Sequence, residues 1–397
     1  MADYSLGEID DEYRFPLDYF KKLKIMKKIG ITGQNGFVGS YLYNFLGLYP
    51  DKYQRIKFQK SFFECNDKLD DFVKECDIIV HLAAMNRHKD PEVIYNCNLS
   101  LVKKLIGSLE RTESKAHVLF SSSSQEDKDN LYGRSKKEGR KLFAAWAQKS
   151  EGKFTGMIIP NVFGPFGKSE YNSFIATFCH KLTHGETPVV DNDGEVNLIY
   201  VEELVKEIIN LFNGSEAHDL IHISYTSVSK VSEVLGKLEN YKQLYFDNGQ
   251  IPELNSSFDL NLFNTFRSYL DFRNHYPQKF KQHKDSRGAF VEVIRLGIGG
   301  QCSFSTTVSG ITRGNHYHTR KIERFAVIKG KALIQLRKID TDEILDFYLD
   351  GNEPAYVDIP IWYTHNITNI GEEELLTLFW INEAFNPENA DTYFLEV

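Results

Sequence analysis

The 397-residue sequence has no apolar run that approaches the roughly 18 residues of a membrane span. Its first 25 residues lack the apolar core of a signal peptide. Cysteine is scarce, with five residues, an odd number, and no Cys-x-x-Cys pair, so we expect reduced, mostly buried thiols in a cytoplasmic protein. The net charge of −8 argues against nucleic acid or an anionic membrane as a main partner.

What the sequence does contain is typical of a soluble globular protein, with 42% apolar and 26% charged residues. Its length indicates two or three domains. Residues 1–25 are acidic and aromatic, and they are either an extension upstream of a true start at Met26 or a small appended helix. A polar stretch at 271–285 predicts a boundary, so we expect one domain over 26–275 and a second over 276–397.

A glycine-rich turn follows the first predicted strand, residues 27–32 (KKIGIT), and precedes a helical pattern. Its spacing is G-x-x-G-x-x-G. This arrangement predicts a dinucleotide-binding turn, because glycines let the backbone approach a pyrophosphate that sits on the helix N-terminus. The turn and the start of the helix therefore assign to the cofactor site Gly33, Gly36, Phe37, Val38 and Gly39.

The second predicted strand, residues 53–58, favours one dinucleotide over the other. Enzymes that prefer NAD usually end this strand with an acid for the ribose 2′-hydroxyl. Here Lys57 and Lys60 stand at that point, and positive charge favours a 2′-phosphate, so we expect NADPH. The alternative is that both lysines are simply solvated.

A third strand is predicted at residues 77–82 (DIIVHL), whose continuous apolar character is typical of a buried parallel strand. The small side chains of Ala83 and Ala84 would let the cofactor lie against the backbone. We place Leu82 in the same site, together with Asn98 from the helix that follows.

The catalytic signal is a run of four serines, residues 121–124, followed by Tyr132-Gly-Arg-Ser-Lys136 at the start of a predicted helix. Tyr132 and Lys136 are one turn apart on one face. An ammonium there favours the phenolate, which predicts a tyrosine pKa lowered toward neutrality. Tyr132 can then give a proton to a carbonyl oxygen as hydride arrives from a nicotinamide.

These motifs in this order (TGxxGFxG, HLAA, SSS and YxxxK) resemble the extended short-chain dehydrogenase/reductase family over about residues 26–270. The resemblance implies an α/β domain with a Rossmann-type, doubly wound parallel sheet. It implies that Ser123 holds the carbonyl oxygen, with Ser122 and Ser124 as alternatives. It also implies that Tyr132 and Lys136 contact the cofactor.

The same resemblance implies two positions for the substrate. The loop PNVFGPFG places Asn161 or a neighbour near the nicotinamide, and the segment YNSF places Asn172 where such enzymes meet a nucleotide sugar. The aspartates common near the family's closing strand-to-helix step are Glu202 and Glu203 here.

A second group of candidate functional residues lies near the C-terminus, in the pattern G-x5-H-x-H-x4-E-x6-G over residues 310–330. Side chains two apart on a strand share a face, so His316 and His318 can share a metal. Glu323 arrives after a short turn and His365 from a later strand. Three imidazoles and a carboxylate suit zinc, iron or another first-row divalent ion.

The two pieces carrying these residues resemble the paired motifs of the cupin superfamily, an all-β barrel with a metal in its mouth. The second motif departs at Trp362, where the family has a glycine. The start of this domain, residues 285–292, resembles sugar-nucleotide 3,5-epimerases. There Arg287 could hold a diphosphate, or it could be a surface arginine on a plain turn.

The whole chain resembles bifunctional capsule-synthesis enzymes of the UDP-N-acetyl-L-fucosamine pathway. The resemblance implies that the substrate is a UDP-linked 4-keto-6-deoxy amino sugar. It implies that the cupin domain, with a divalent metal such as zinc, inverts C3 of this sugar, and that the other domain then reduces the C4 ketone with NADPH. Candidates for the C3 base are Tyr317, Tyr363 and Glu292. By analogy we expect a homodimer. A reductase with a merely structural cupin and a non-catalytic nucleotide sensor are the alternatives.

Overall fold

The computed structural model describes residues 26–214, 216–285, 288–291, 293, 300–383 and 386–397. The N-terminal segment 1–25 lies outside the described residues, as do Arg287 and Glu292. Among the described residues, no helix combines the length and apolarity needed to cross a membrane.

The N-terminal part of the described chain alternates strands with helices, as predicted. Its strands are β1 (Lys27–Thr32), β2 (Tyr53–Ile56), β3 (Ile78–His81), β4 (His117–Ser123), β5 (Lys153–Ile159), β6 (Asn161–Phe163), β7 (Glu195–Tyr200), β8 (Ile221–His222) and β9 (Ser227–Lys230). Its helices are α1 (Phe37–Gly47), α2 (Asn66–Glu75), α3 (Pro91–Arg111), α4 (Leu131–Lys149), α5 (Phe174–Thr183), α6 (Val201–Asn213), α7 (Val231–Tyr241), α8 (Ser257–Arg267) and α9 (Phe272–His275). We call this part, β1 to α9, the N-terminal domain.

Six of these strands form a parallel sheet in the order β2-β1-β3-β4-β5-β8. Every residue of β3 is buried, as expected for a strand covered on both faces. The strand order reverses beside β1, which opens a crevice at the carboxyl ends of β1 and β3. The predicted Rossmann-type, doubly wound sheet is therefore confirmed.

Two local predictions need correction. The strand predicted over 53–58 ends at Ile56, because the Phe58 N–H donates to the side chain of Gln34 at 2.9 Å and a 3₁₀ turn begins at Lys60. The cysteines form no disulfide, but they are less buried than expected, since Cys302 is exposed.

The rest of the described chain is almost entirely strands. These are β10 (Gln278–Lys279), β11 (Gln282–Asp285), β12 (Gly288–Val291), β13 (Gln301–Thr307), β14 (Thr312–Tyr317), β15 (Glu323–Lys329), β16 (Lys331–Lys338), β17 (Ile344–Asp350), β18 (Ala355–Ile359), β19 (Tyr363–Asn369), β20 (Leu375–Ile381) and β21 (Tyr393–Phe394). Two five-stranded antiparallel sheets, β10-β18-β15-β20-β13 and β17-β16-β19-β14-β21, make an all-β, cupin-like barrel. This part of the fold prediction is also confirmed.

The two parts share one hydrophobic core. A continuous cluster of buried side chains runs from Ile29 and Ile31 in the parallel sheet to Trp380 in the barrel. At the junction Tyr41 of α1 packs edge-on against Trp362, with ring centroids 5.6 Å apart. The barrel is therefore packed directly against the helix that follows the glycine-rich turn.

Candidate active site and metal centre

The glycine-rich turn has the conformation that its spacing predicts. Gly33 adopts a left-handed φ of 79°, and a Cβ on it would lie 2.8 Å from the backbone nitrogen of Ala83. The Gly36 N–H donates to the Gly33 carbonyl at 2.9 Å. A Cβ on Gly39 would stand 2.2 Å from that same carbonyl oxygen. Gly33 and Gly39 thus need glycine for the close approach of backbone to backbone, whereas a Cβ on Gly36 would lie 3.1 Å from the Gly33 carbonyl oxygen, a tight contact.

The helix that begins at this turn is open to an anion. Its N-cap, Gly36, offers no side-chain cap, and the first turn of α1 contains no acidic residue. The first N–H groups of a helix have no intrahelical acceptor and carry the positive end of the helix dipole. Phe37 and Val38 lie in this first turn. The arrangement fits a dinucleotide pyrophosphate.

The segment after β3 forms the opposite side of the crevice. The Leu82 N–H donates to the Thr32 carbonyl at 3.1 Å, which holds Ala83 and Ala84 beside the turn. Asn98 is 4% exposed, accepts from the Met85 N–H at 2.7 Å and donates to the Met85 carbonyl at 3.1 Å. Asn98 therefore fixes the backbone of this segment, and its place in the cofactor site stays a prediction.

Lys57 and Lys60 are both exposed, just beyond the end of β2. The Gln34 side chain accepts the Phe58 N–H and so ties the glycine-rich turn to the segment carrying these lysines. Their place fits the 2′-phosphate predicted from the sequence, and their role stays a prediction.

Of the three candidate serines, Ser123 is the one beside Tyr132. Ser122 is buried and donates to the carboxylate of Glu126. Ser124 is exposed in a 3₁₀ turn. Ser123 accepts from the Gln125 N–H at 3.2 Å, and its hydroxyl forms a hydrogen bond with the Tyr132 phenol.

Lys136 lies one turn along α4 from Tyr132 and is only 3% exposed. Its Nζ donates to the Ser121 carbonyl at 2.9 Å and lies 5.8 Å from the centroid of the Tyr132 ring. Burial lowers the pKa of Lys136 to about 8, although Glu126 opposes the shift. The ammonium is therefore present at neutral pH and lost in mildly alkaline solution.

Tyr132 differs from its predicted ionisation. Burial raises its pKa to about 12, and the hydrogen bond to Ser123 opposes this only in part. The expected lowering toward neutrality is not seen, because desolvation of the phenolate dominates the pKa of Tyr132. A phenol that stays protonated at neutral pH is nevertheless the form that can donate a proton.

The motifs did not indicate Tyr171, which the fold brings to the same site. Its hydroxyl accepts from the Asn86 N–H at 3.4 Å, and its charge contributes to the raised pKa of Tyr132. Arg87 donates to the carbonyls of Glu170 at 2.7 Å and Tyr171 at 3.2 Å. The segment before α5 is thereby tied to the segment after β3, and only the tertiary fold reveals this.

The predicted substrate residues are accessible but engaged to different degrees. Asn161 is exposed and donates to the Asn197 carbonyl at 3.3 Å. Asn172 is exposed immediately before Ser173, the N-cap of α5. Contact with substrate stays a prediction for both, and Arg287 lies outside the described residues.

The four predicted metal ligands come together inside the barrel. One ligand atom from each of His316, His318, Glu323 and His365 lies within 4.8 Å of the others. Glu323 Oε2 is 3.0 Å from His318 Nε2 and 3.2 Å from His365 Nε2. His318 Nε2, Glu323 Oε2 and His365 Nε2 are buried, point toward one another and have no hydrogen-bond partner. Convergent, unpartnered ligand atoms fit a divalent metal.

Contacts at Nδ1 orient two of the imidazole rings. His318 Nδ1 contacts the Asp391 carbonyl, and His365 Nδ1 lies 3.3 Å from the Tyr363 carbonyl. Such contacts fix the ring orientation and leave Nε2 for a metal. His316 pairs directly with His365 across β14 and β19, after a bulge between Gly314 and His316 that accounts for their shared face.

The pKa values of His316 and Glu323 favour their metal-binding forms, whereas for His318 burial would lower the pKa but the Glu323 carboxylate raises it. Burial and the neighbouring imidazoles lower the pKa of His316 to about 4. Burial would raise the pKa of Glu323, but the imidazoles of His318 and His365, 3.0 and 3.2 Å from its carboxylate, hold it well below its usual range. A neutral imidazole and an ionised carboxylate are the forms that bind a metal.

Trp362 occupies the glycine position of the cupin motif in a glycine-like conformation, with φ of 62°. Its N–H donates to the His318 carbonyl at 2.8 Å. Its ring is 2% exposed, edge-on to Tyr41 and stacked on Tyr317 at 5.7 Å. The departure from the motif therefore keeps the turn, and packing between the two domains holds the strained backbone.

The tyrosines considered for the C3 base lie at the domain junction. Tyr317 stacks between Trp362 and Tyr393, and Tyr363 packs edge-on against Phe272 with centroids 5.6 Å apart. Both rings are used in packing, and Glu292 lies outside the described residues. The role of either tyrosine as the base stays a prediction.

Two family models match the chain. One, the NAD dependent epimerase/dehydratase family, matches residues 29–219. The other, the polysaccharide biosynthesis C-terminal domain, matches residues 283–393. The first covers the parallel sheet up to β5 and includes Tyr132, and the second covers the His316, His318, Glu323 and His365 cluster.

Individual relatives span both parts. The chain is 31% identical over 375 residues to UDP-2-acetamido-2,6-beta-L-arabino-hexul-4-ose reductase of Pseudomonas aeruginosa, covering 93% of this chain and 99% of that one. The crystal structure of the capsular polysaccharide assembling protein CapF from Staphylococcus aureus is similar, with 34% identity, a TM-score of 0.58, and coverage of 93% and 100%. Spore coat polysaccharide biosynthesis protein SpsL of Bacillus subtilis is 27% identical over 124 residues, or 29% of this chain and 82% of that one.

Proposed function

Because the chain belongs to the family that contains UDP-2-acetamido-2,6-beta-L-arabino-hexul-4-ose reductase and CapF, we propose that it is a bifunctional enzyme of nucleotide-sugar metabolism. The barrel epimerises C3 of a UDP-2-acetamido-2,6-dideoxy-4-hexulose. The N-terminal domain then reduces the C4 ketone. The product is a precursor of UDP-N-acetyl-L-fucosamine for capsule or O-antigen synthesis.

The reductive step uses the residues around the crevice. The glycine-rich turn would hold NADPH, Lys57 and Lys60 would bind its 2′-phosphate, and the bound cofactor would supply the hydride. The Ser123 hydroxyl donates a hydrogen bond to the ketone oxygen, and the protonated Tyr132 phenol gives that oxygen its proton. The Lys136 ammonium, 5.8 Å from the ring of Tyr132, favours the phenolate left behind.

The epimerisation step belongs to the barrel. A divalent ion, zinc by its ligand set, would be held by His316, His318, Glu323 and His365 and would supply a Lewis acid for the sugar oxygens. The ketone at C4 makes the neighbouring C3–H acidic, so the chain need only remove that proton and return one to the other face. The ketone survives this step and is what the reductase requires.

The observation that carries the proposal is that one chain holds both complete sets. Ser123, Tyr132 and Lys136 meet at one end of the parallel sheet, and four ligand atoms converge in the barrel. A structural barrel would have no need of convergent, unpartnered ligand atoms. A nucleotide sensor would have no need of the proton donor.

The test is incubation with UDP-4-keto-6-deoxy amino sugars and NADPH in deuterated water, with mass spectrometry and NMR of the product. We expect one deuterium at C3, inverted configuration there, and a C4 alcohol. Reduction without deuterium at C3 would leave a single-activity reductase with a structural barrel. No oxidation of NADPH with any such sugar would overturn the enzymatic proposal.

Assembly and location belong to the same proposal. We expect a homodimer in the cytoplasm, paired through the helix that carries Lys136 and through the barrel faces. The measurement is light scattering at micromolar protein, where a monomer would contradict this expectation.

A further inference from the structure

A cleft of about 740 Å³ lies between the start of α1 and the barrel. One wall comprises the glycine-rich turn and the outer face of α1, including Gln34, Gly36 and Asn44. The other wall is the end of β16 and the turn that leads to β17, residues 337–342. A ligand lying on the glycine-rich turn therefore faces the barrel as well as its own domain.

Lys338, the last residue of β16, is the cation in this wall that is free to meet a ligand. It is half-buried, and its Nζ lies 3.9 Å from the centroid of the Phe166 ring, a contact that holds an ammonium without neutralising it. In the part of the chain that the structure describes, no ion pair joins Lys338 to a carboxylate.

The other charges of this wall are placed differently. Arg337 donates to the carbonyls of Thr341 at 3.0 Å and Glu396 at 2.6 Å, so its guanidinium is already engaged. Asp340 and Asp342 are exposed, where solvent and salt screen their charge. Asp340 acts on Lys338 only by raising its pKa against the lowering by burial. The half-buried charge facing the cleft is thus positive.

We propose that Lys338 binds the pyrophosphate of the dinucleotide that lies on the glycine-rich turn, so that the barrel completes the cofactor site of the other domain. The inference rests on the proposed function. Its grounds are the shared cleft, the uncapped first turn of α1 without an acid, and an unpaired ammonium in the facing wall. Phosphate oxygens are the groups that these two features jointly attract.

The test is direct titration of the full-length protein with NADPH and with NADH, followed by nicotinamide fluorescence. Lys338→Met keeps the length of the side chain and removes its charge. We expect Kd to rise about tenfold or more for both cofactors, because each carries the pyrophosphate. Lys338→Gln should behave alike, and Lys338→Arg should stay within about threefold of wild type.

Lys331→Met is the matched control, since Lys331 is the exposed first residue of the same strand, and its Kd should be unchanged. An unchanged Kd in folded Lys338→Met and Lys338→Gln would overturn the proposal. Weakened binding of NADPH alone would place Lys338 at the 2′-phosphate and would overturn the pyrophosphate assignment. Failure of wild type to bind either cofactor would instead overturn the proposed function.

Discussion

The carboxylate of Asp358, in strand β18 of the barrel, accepts a hydrogen bond from the hydroxyl of Tyr245, which follows α7 in the N-terminal domain. Arg324 donates to the same carboxylate at 2.7 and 3.0 Å. The Tyr276 hydroxyl lies 3.4 Å from it. All four side chains are buried, so an ion pair and two phenols close the junction without access to water.

Removing the charge of Asp358 should destabilise the whole protein. Asp358→Asn leaves the Arg324 guanidinium buried without its counter-ion, which costs about 3–5 kcal/mol. Urea unfolding measures the loss. Asp346→Asn is the control, because Asp346 is exposed on β17 and only accepts a bond from Gln335. A loss below about 1 kcal/mol for Asp358→Asn would contradict the role given to this junction.

Ketone reduction should fall as pH rises through about 8, the pKa to which burial lowers Lys136. Below that pH the ammonium is present; above it the charge that favours the phenolate is lost. Tyr132, with a pKa raised to about 12, should contribute nothing in this range. Arginine stays charged in this range, so the kcat of Lys136→Arg should no longer decrease near pH 8. If kcat of this variant still decreases near pH 8, a group other than Lys136 causes the decrease.

Tyr132→Phe should lower the rate of hydride transfer by about 10²-fold or more, because the ring stays and the proton donor is lost. Stopped-flow absorbance of NADPH measures it. Tyr348→Phe, at a tyrosine 66% exposed on the barrel, serves as the control. The same Tyr132→Phe protein should still incorporate deuterium at C3 without NADPH; its failure to do so would mean that the two domains have other roles.

His316→Ala combined with His365→Ala should release the metal and stop C3–H exchange, since two of four ligands are lost. Metal content by mass spectrometry and deuterium incorporation by NMR report the two effects. A melting curve must accompany them, because metal binding also stabilises the barrel. His222→Ala, at an exposed histidine of β8, is the control. Continued exchange in the metal-free double variant would refute the assignment.

Replacing Lys57 and Lys60 together by Met should raise the KM for NADPH by roughly ten- to a hundredfold and leave that for NADH nearly unchanged. The reason is that only NADPH carries the 2′-phosphate. Steady-state kinetics with both cofactors measures the difference. Equal kinetics with NADPH and NADH in the wild type would rule out the preference itself.

The sequence predicted those features that depend on spacing along the chain. Gly33, Gly36 and Gly39 make a turn because they are three apart, and Tyr132 and Lys136 meet because they are one helical turn apart. In the barrel, His316 and His318 are two apart along the chain, so their common face could be predicted from the pattern. In each of these cases the geometry is set within one or two neighbouring elements, whereas Glu323 on β15 and His365 on β19 come from different sheets.

The remaining features depend on how distant segments pack. Tyr171 influences Tyr132 from a segment that Arg87 ties to the segment after β3. The pKa of Tyr132 follows burial, which a motif does not report. Lys338 meets the glycine-rich turn across a cleft between domains, and no spacing within either domain indicates it.

The position of Trp362 has an optical consequence. The chain has three tryptophans, and Trp362 is the one whose ring touches Tyr41 of α1 and also Tyr317, which lies between His316 and His318 in the chain. Replacing Trp146 and Trp380 by Phe would leave Trp362 as the single tryptophan, at the junction of the two domains. Its fluorescence would then report both cofactor binding to the N-terminal domain and metal binding to the barrel.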